Sequence, residues 1–234
     1  EPVTPTIPLF IQRQEKITPD QNVSGQGVQV NRGALRGTAV HRVMECYDFT
    51  SEKSVQEQMD AMEKEEKITA DMRALVKEQI VADFVSSETG KRMALAQRMG
   101  ALYREKPFVM GFTEEELENY GFGAGAQMIE NEVQTENAQQ EIVLENVSRE
   151  NHMHEEDLTL IQGIIDVFWI EDDGITVLDY KTDRVDTAQE LIDRYATQLK
   201  LYADALERVF ATRKLKVKEI LIYSFRLEKL ISIE

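Results

Sequence analysis

The sequence predicts an α/β domain with a mixed central β-sheet flanked by helices, and three observations carry that prediction. Residues 158–170, LTLIQGIIDVFWI, are apolar at both odd and even positions, which is typical of a strand covered on both faces. Residues 175–181, ITVLDYK, follow the turn sequence EDDG and predict the next strand. Thr187 and Glu190 form a capping-box pattern that begins a long helix ending near Phe210.

The remaining elements follow from apolar spacing along the chain. Val40, Met44 and Tyr47 predict a helix over about 33–49, and a charged amphipathic stretch continues to about residue 66. A further helix is predicted to begin at Thr69. A shorter helix is predicted over 86–97. The stripe of the helix that begins at Thr69 is Met72, Leu75, Val76, Ile80 and Phe84. Residues 101–112 alternate as a strand does, and 217–225 predict a last strand.

Two segments stand apart from this pattern. Residues 1–24 are rich in proline, and we expect a linker or extended arm before a domain that spans 25–234. Residues 113–157 contain many Asn, Gly and Glu and few branched apolar residues. We interpret them as an acidic insertion, with a strand expected at 141–147.

Composition excludes several classes of protein and site. A single cysteine, Cys46, excludes an internal disulfide and a four-cysteine zinc or iron–sulfur site. The chain has no GxxxxGK[ST] motif for ATP, no apolar run long enough to cross a membrane and no signal-peptide pattern. We therefore expect a cytoplasmic location and no ATP site in this segment.

The net charge of −16 argues against nucleic acid as a ligand at first sight. Residues 112–157 hold thirteen Asp and Glu against one Arg, a balance of −12 that leaves −4 for the rest of the chain. An acidic stretch of this kind can lie away from a binding site. We still expect weak DNA affinity for the domain alone.

The strongest local signal is a set of charged residues on the two central strands. Asp179 and Lys181 are two apart, so they point to the same face. A turn of 171–174 or 172–173 places Asp166 opposite Asp179, whereas a turn of 173–174 places it opposite Lys181. A turn with an odd number of residues and no bulge would instead place Asp166 on the opposite face from Asp179 and Lys181. Two buried carboxylates suit a hard divalent cation, and the alternative is an exposed edge or a simple pair with Lys181.

Four short motifs occur in order along the chain. They are GTAVH (37–41), YREKPF (103–108), GIID with DYK (163–166 and 179–181), and QLKLY (198–202). Together they resemble the PD-(D/E)XK nucleases in their RecB-like form, and especially the C-terminal nuclease domains of AddA-type subunits of ATP-dependent helicase–nucleases. This resemblance implies the restriction-endonuclease-like core with extra N-terminal helices.

The resemblance also implies roles for particular residues. The metal ligands would be His41, Asp166, Asp179 and the backbone carbonyl of Tyr180, holding Mg²⁺ with Mn²⁺ as a substitute. The catalytic set would be Asp166, Asp179, Lys181, Gln198 and Tyr202. Gln198 and Tyr202 are also candidate substrate contacts, and Arg184 and Lys200 are candidate phosphate contacts that could equally be ordinary surface charges. Packing explains Tyr202 as well as function does, and His41 could instead pair with Glu45 at i+4. Glu105 matches a family position without a role that we can assign.

The implied function is a metal-dependent exonuclease acting on single-stranded DNA during double-strand-break repair by recombination. Its implied partners are helicase domains of the same longer chain, which would deliver the strand, and a second, AddB-type subunit. The cysteines that hold an iron–sulfur cluster in AddB-type and Cas4-type relatives are missing, so no cluster is expected. The alternatives are a non-catalytic RecB-like binding or scaffold module and an acidic protein-interaction domain. Neither would need converging metal ligands.

Overall fold

The computed structural model describes residues 32–121, 143–146 and 158–234, which form an α/β fold as predicted. The helices before the sheet are α1 (Arg32–Cys46), α2 (Val55–Lys64), α3 (Ala70–Leu75), α4 (Glu78–Ser86) and α5 (Glu88–Arg98). The strands are β1 (Leu102–Thr113), β2 (Val143–Asn146), β3 (Leu158–Glu171), β4 (Gly174–Lys181), β5 (Val217–Ser224) and β6 (Lys229–Ile233). The helices between strands are α6 (Glu114–Glu118) and α7 (Ala188–Val209).

The described strands form one mixed sheet in the order β1-β3-β4-β5-β6, with β2 paired to the first part of β3. β4 and β5 are parallel, and the other neighbours are antiparallel. Gln162 pairs with both Val109 and Val143, so β1 and β2 lie along opposite edges of β3. On the edge that β2 occupies, β4 pairs with residues 167–171. Residues 163–166 therefore lie between the two partners on that edge, and we call this place the fork.

Both faces of the sheet are covered, as the apolar pattern of the central strands predicted. Leu178 and Tyr180 of β4 pack into an apolar cluster with α1, α2, α4 and α5. Ile175 and Val177 pack into a second cluster with α7. Since strand side chains alternate, the odd-numbered Asp179 belongs to the face that α7 covers.

Two elements differ from the sequence-based expectation. The apolar stripe that begins at Thr69 forms two helices, α3 and α4, because the backbone of Val76 is extended (φ −96°, ψ 116°). Val76 is nonetheless buried, so the apolar stripe continues across the break and the sequence pattern does not reveal it. β6 was not predicted at all, although Ile231 and Ile233 alternate toward the core.

Several predictions concern residues at or beyond the limits of the described chain. The arm at 1–24 lies outside it, and of the acidic segment 113–157 only 113–121 and 143–146 are described. β2 falls within the strand expected at 141–147. None of the described helices is long and apolar enough to span a bilayer.

Candidate active site

The β3–β4 hairpin brings two buried aspartates together at the fork. Glu171 pairs with Gly174, so Asp172 and Asp173 form the turn, and the ladder continues to Val167 opposite Leu178. Continuing this register places Asp166 opposite Asp179, as two of the three even turns allowed. Both side chains are buried, with 2% and 1% of their surface exposed. The two carboxylates lie near enough for the charge of Asp166 to raise the pKa of Asp179.

Asp166 is held from two sides, by the backbone of β4 and by α1. The backbone N–H of Tyr180 donates a hydrogen bond to Asp166 Oδ2 (2.8 Å), and His41 Nδ1 lies 3.4 Å from the same oxygen. Burial by itself opposes both charges, but their attraction outweighs it. The pKa of His41 is therefore raised and that of Asp166 is lowered.

The structure decides between the two interpretations of His41. The alternative partner, Glu45, accepts a hydrogen bond from Arg42 instead (2.5 Å). His41 faces the carboxylate of β3 because α1 packs its buried face, which includes Ala39, Val40 and Val43, against the sheet. Gly37 is also buried, one turn before His41.

Asp179 has fewer compensating contacts than Asp166. Its Oδ2 lies 2.8 Å from Lys181 Nζ, an ion pair whose geometry falls short of a hydrogen bond. Its Oδ1 accepts no hydrogen bond within the described part of the chain. Burial, followed by repulsion from Asp166, raises the pKa of Asp179 to about 6 in spite of the nearby ammonium. A buried acceptor of this kind is costly unless a cation or another donor reaches it.

A third carboxylate, Glu105, reaches the same place from β1. Its flanking residues Arg104 and Lys106 pair with Val167 and Ile165, so Glu105 lies opposite Asp166 in the register. Its backbone is left-handed (φ 45°), which few non-glycine residues adopt and which costs on the order of 1 kcal/mol.

His41, Glu105 and Asp166 each offer a ligand atom, and these atoms lie within 4.8 Å of one another. Burial and the charge of Asp166 raise the pKa of Glu105 to about 8. The sequence showed that Glu105 matches a family position and gave it no role. The position within the YREKPF motif was the one signal available.

Lys181 sits in a polar arrangement that the sequence did not reveal. Its Nζ lies 4.1 Å from the centroid of the Tyr195 ring, a cation–π contact. The Tyr195 hydroxyl donates to Asp183 Oδ1 (2.7 Å), which also accepts from Arg194 (2.9 Å). Tyr195 is thus fixed at both ends, and it limits the directions that the Lys181 ammonium can take.

Gln198 and Tyr202 lie on one face of α7 and contact each other. Gln198 Nε2 donates to the Tyr202 hydroxyl (2.5 Å), and Tyr202 is 1% exposed. Its ring meets Phe108 edge-on at 5.4 Å. Burial raises the pKa of Tyr202, and the charges of Asp179 and Asp166 raise it further, so the hydroxyl lies within electrostatic reach of the fork.

The remaining candidates are placed differently from the core of the site. Arg184 is exposed three residues after Lys181. Lys200 is also exposed, but two residues turn an α-helix by about 200°, so it points away from the face that carries Gln198. This position favours an ordinary surface charge for Lys200 over a phosphate contact. The ring of Tyr180 packs in the cluster beneath α1 and α4, and the ligand role of its carbonyl stays a prediction.

The donors at the fork fit a divalent metal ion. An imidazole nitrogen and the carboxylates of Glu105 and Asp166 form the mixed nitrogen–oxygen set that Mg²⁺, Mn²⁺ and related ions accept, whereas the predicted ligand Asp179 is not part of this close group. The orphaned Asp179 Oδ1 supplies an independent reason, since a cation would satisfy an acceptor that the described protein leaves unmet. The residues present therefore fit a bound cation.

Comparisons with known proteins identify relatives of the whole chain. A model of the PD-(D/E)XK nuclease superfamily matches residues 9–231. Relatives named as A-type subunits of an ATP-dependent helicase/nuclease occur in Lachnoclostridium phytofermentans (32% identical over 99% of this chain) and Clostridium novyi (29% over 97%). Another, from Clostridium perfringens, is 30% identical over 93% of this chain. The chain spans 16%, 15% and 15% of the length of these three relatives.

Proposed function

The chain belongs to the PD-(D/E)XK nuclease superfamily, and from that premise we propose that it is a Mg²⁺-dependent deoxyribonuclease domain that hydrolyses phosphodiester bonds of single-stranded DNA. The observation that carries the proposal is the group of His41, Glu105 and Asp166 at the fork, whose ligand atoms lie within 4.8 Å of one another, with Asp179 and Lys181 within electrostatic reach of His41. Buried carboxylates without full compensation destabilise a fold. A module that only binds DNA or acts as a scaffold would gain no function from this loss of stability.

The proposed ligands of the ion come from four elements. His41 belongs to α1, Glu105 to β1, and Asp166 and Asp179 to β3 and β4, with the Tyr180 carbonyl beside them. A bound Mg²⁺, for which Mn²⁺ would substitute, supplies Lewis-acid stabilisation of the charge that develops on the phosphate. The protein supplies position, because rigid strands hold Asp166 and Asp179 and the sheet face of α1 holds His41.

Lys181 and α7 complete the proposed site. The ammonium of Lys181, directed by Asp179 and the Tyr195 ring, lies where it would donate to the attacking water or to a phosphate oxygen. Tyr202 accepts from Gln198 and so holds that amide near the fork, where Gln198 would orient Lys181 or contact the phosphate.

The cellular role proposed for the domain follows from its relatives. Because they are named as parts of ATP-dependent helicase/nucleases and are much longer than this chain, we propose that helicase domains of the same polypeptide deliver the strand. We also propose that the domain works with an AddB-type partner, in double-strand-break repair by recombination, in the cytoplasm. The net charge of −16 supports delivery, since a strand would not be drawn strongly to this domain alone.

The test is a paired measurement of metal binding and strand cleavage. Wild-type protein should bind Mn²⁺ in calorimetry and cut an end-labelled single-stranded oligonucleotide in Mg²⁺ but not in EDTA. Asp179→Ala should lose metal binding and cleavage together. Lys181→Ala should still bind metal but cut roughly 10²–10³-fold more slowly, the loss typical of one stabilising donor in a transition state. The exposed Lys91 on α5 provides a matched control, and Lys91→Ala should behave as wild type.

Two results would contradict the proposal. Equal cleavage in EDTA and in Mg²⁺ would exclude a metal-dependent mechanism. Tight metal binding without cleavage of any strand, even at high protein concentration, would favour the non-catalytic module. Circular dichroism of each variant separates loss of chemistry from loss of fold.

A further inference from the structure

A pocket with three arginines in its lining opens at Thr182, the residue that follows Lys181 of β4. It has a volume of about 260 Å³, and its lining comes from the start of α1, the end of α3 and the segment that follows β4. The lining residues are Arg32, Gly33, Arg36, Leu75, Thr182, Asp183 and Arg184. The pocket therefore gathers three guanidinium groups from two separate parts of the chain.

The three arginines of the pocket form no ion pair with an acidic group among the residues that the structure describes. Five other arginines do form such pairs, and they are Arg42, Arg73, Arg92, Arg194 and Arg208. The grouping of three such cations around one cavity suits an anionic ligand.

One acidic residue, Asp183, also lines the pocket, and one of its two carboxylate oxygens is engaged, whereas the buried Oδ2 has no hydrogen-bond partner among the described residues. Its Oδ1 accepts hydrogen bonds from Arg194 and from the Tyr195 hydroxyl, and the side chain is 7% exposed. The pocket lining still carries an excess of two positive charges. Arginine is suited to phosphate because its planar fork donates two parallel hydrogen bonds to a pair of phosphate oxygens.

The pocket lies close to the reacting centre along the segment that follows β4. Thr182, which directly follows Lys181, lines the pocket, and Arg184 follows Lys181 by three residues, a span of at most about 11 Å. A group bound in the pocket would therefore be a near neighbour of one bound at the fork.

We infer that this pocket binds the non-bridging oxygens of a phosphodiester next to the one being cut. This inference rests on the proposed nuclease function and adds a contact that fixes where the strand lies. Arg36 and Arg184 are the principal donors, with Arg32 as an exposed third, and the buried Thr182 is part of the lining. The ligand is a phosphate of the DNA backbone, so the contact is independent of base sequence.

The test measures oligonucleotide binding in EDTA, where nothing is cut. Replacement of Arg36 and Arg184 by Gln should raise Kd roughly tenfold for each at low salt, as expected for a charge-assisted hydrogen bond near the surface. For the double variant, the slope of log Kd against log salt should become shallower by about 0.7, the value for one phosphate of a single strand. Arg98→Gln makes the same charge change at an exposed position on α5 and should leave both quantities unchanged.

A neutral methylphosphonate placed at successive linkages locates the contact. Wild-type protein should lose affinity when one internal linkage is neutral, and the double variant should be insensitive to that same replacement. Equal sensitivity in the two proteins would overturn the inference. So would an arginine dependence seen only with a 5′-phosphorylated oligonucleotide, because the pocket would then hold a terminal phosphate.

The same preparations separate this inference from the proposed function. A wild-type protein that cuts DNA in Mg²⁺, with arginine variants of unchanged affinity, would overturn the phosphate pocket and leave the nuclease. A wild-type protein that binds strands through these arginines and never cuts would support the pocket and contradict the nuclease.

Discussion

Glu105 shows how one residue can be unfavourable for stability and useful for function. Its left-handed backbone is strained, and its carboxylate faces Asp166 in a partly buried place. Strain of this kind persists only where the surroundings impose it, and it is frequent at functional sites. A bound cation would offset the repulsion between Glu105 and Asp166, because both carboxylates would coordinate it.

The pH dependence of stability tests this view of Glu105. Its pKa is about 8 in the fold against an ordinary value of 4.5, so the folded chain binds this proton more tightly than the unfolded chain. The stability loss is absent below pH 4.5, grows through the window from 4.5 to 8, and is complete above it. Metal-free Glu105→Gln should therefore be more stable than wild type at about pH 8 and equally stable near pH 4.5, as measured by urea unfolding in EDTA.

Glu118→Gln, an exposed change on α6, is the matched control and should show no such pH dependence. With metal present, we expect the wild type to be more stable than Glu105→Gln. Mn²⁺ should raise the melting temperature of wild type more than that of Glu105→Gln, because the wild type keeps one more ligand. A stability difference that is the same at every pH would show that Glu105 is not buried near a like charge.

Sequence could predict some of these side-chain positions and not others. Strand alternation predicted that Asp166, Asp179 and Lys181 share one face, but the alternation of β3 is interrupted at Asp166, because Ile165 and Val167 pack in the clusters on opposite faces of the sheet. It could not place Glu105, because a left-handed residue leaves the alternation. Tyr195 was also missed as a contact of Lys181, because it is part of the apolar stripe of α7 and that pattern accounts for it without the site.

At the scale of elements, the β3–β4 hairpin sets the distance between the two aspartates. Its two-residue turn ends at Gly174, whose φ of 149° lies in the region that favours glycine. A Cβ there would lie 2.7 Å from the Lys216 carbonyl oxygen, so other residues would force the backbone to shift. The EDDG sequence predicted a turn but left two registers open. The sequence pattern could not predict that Gly174 packs against Lys216, the residue before β5.

The contact of α7 with β3 depends on a second glycine, Gly163 at the fork. A Cβ on Gly163 would lie 3.0 Å from Phe108 and 3.2 Å from Tyr202, so alanine would push α7 outward. Gly163→Ala should destabilise the domain by about 1–3 kcal/mol, as overpacking does, and should slow cleavage by moving Gln198. Urea unfolding and the cleavage rate measure the two effects.

Gly111→Ala provides the matched control for that substitution. Its Cβ would meet Leu158 at 3.1 Å, but Leu158 is 47% exposed and can rotate away. We expect a loss well below that of Gly163→Ala and an unchanged cleavage rate. Equal losses at the two glycines would mean that α7 adjusts freely and that its distance from β3 is not fixed at the fork.

The helical elements were predicted where local chemistry marks their ends. α7 begins at its capping box, with Thr187 and Glu190 bonded as the sequence indicated. The break between α3 and α4 has no Gly or Pro to mark it, and a buried Val76 keeps the apolar stripe continuous. β6 escaped prediction because its five residues give too short an alternation to separate from a loop.

For the whole molecule, charge is distributed unevenly between a basic pocket and an acidic remainder. The arginine pocket opens at Thr182, which follows Lys181, whereas the acidic balance of −12 is concentrated in residues 112–157. Screening limits interactions between exposed charges to about 8 Å at physiological salt, so a phosphate in the pocket interacts mainly with the arginines beside it. The domain should thus hold a strand once it arrives and attract it poorly from solution.

A fusion to a sequence-independent single-strand-binding domain through a flexible linker tests this division. The linker raises the effective concentration of strand to about the millimolar range without changing the site. We therefore expect cleavage at low DNA concentration to accelerate by at least tenfold, with the saturating rate unchanged, because delivery and chemistry are separate steps. The control fusion carries a partner domain whose strand-binding surface has been removed, and it should match the unfused chain. A low KM for the unfused chain, or a higher saturating rate for the fusion, would mean that strand capture is built into this domain rather than supplied by the longer protein.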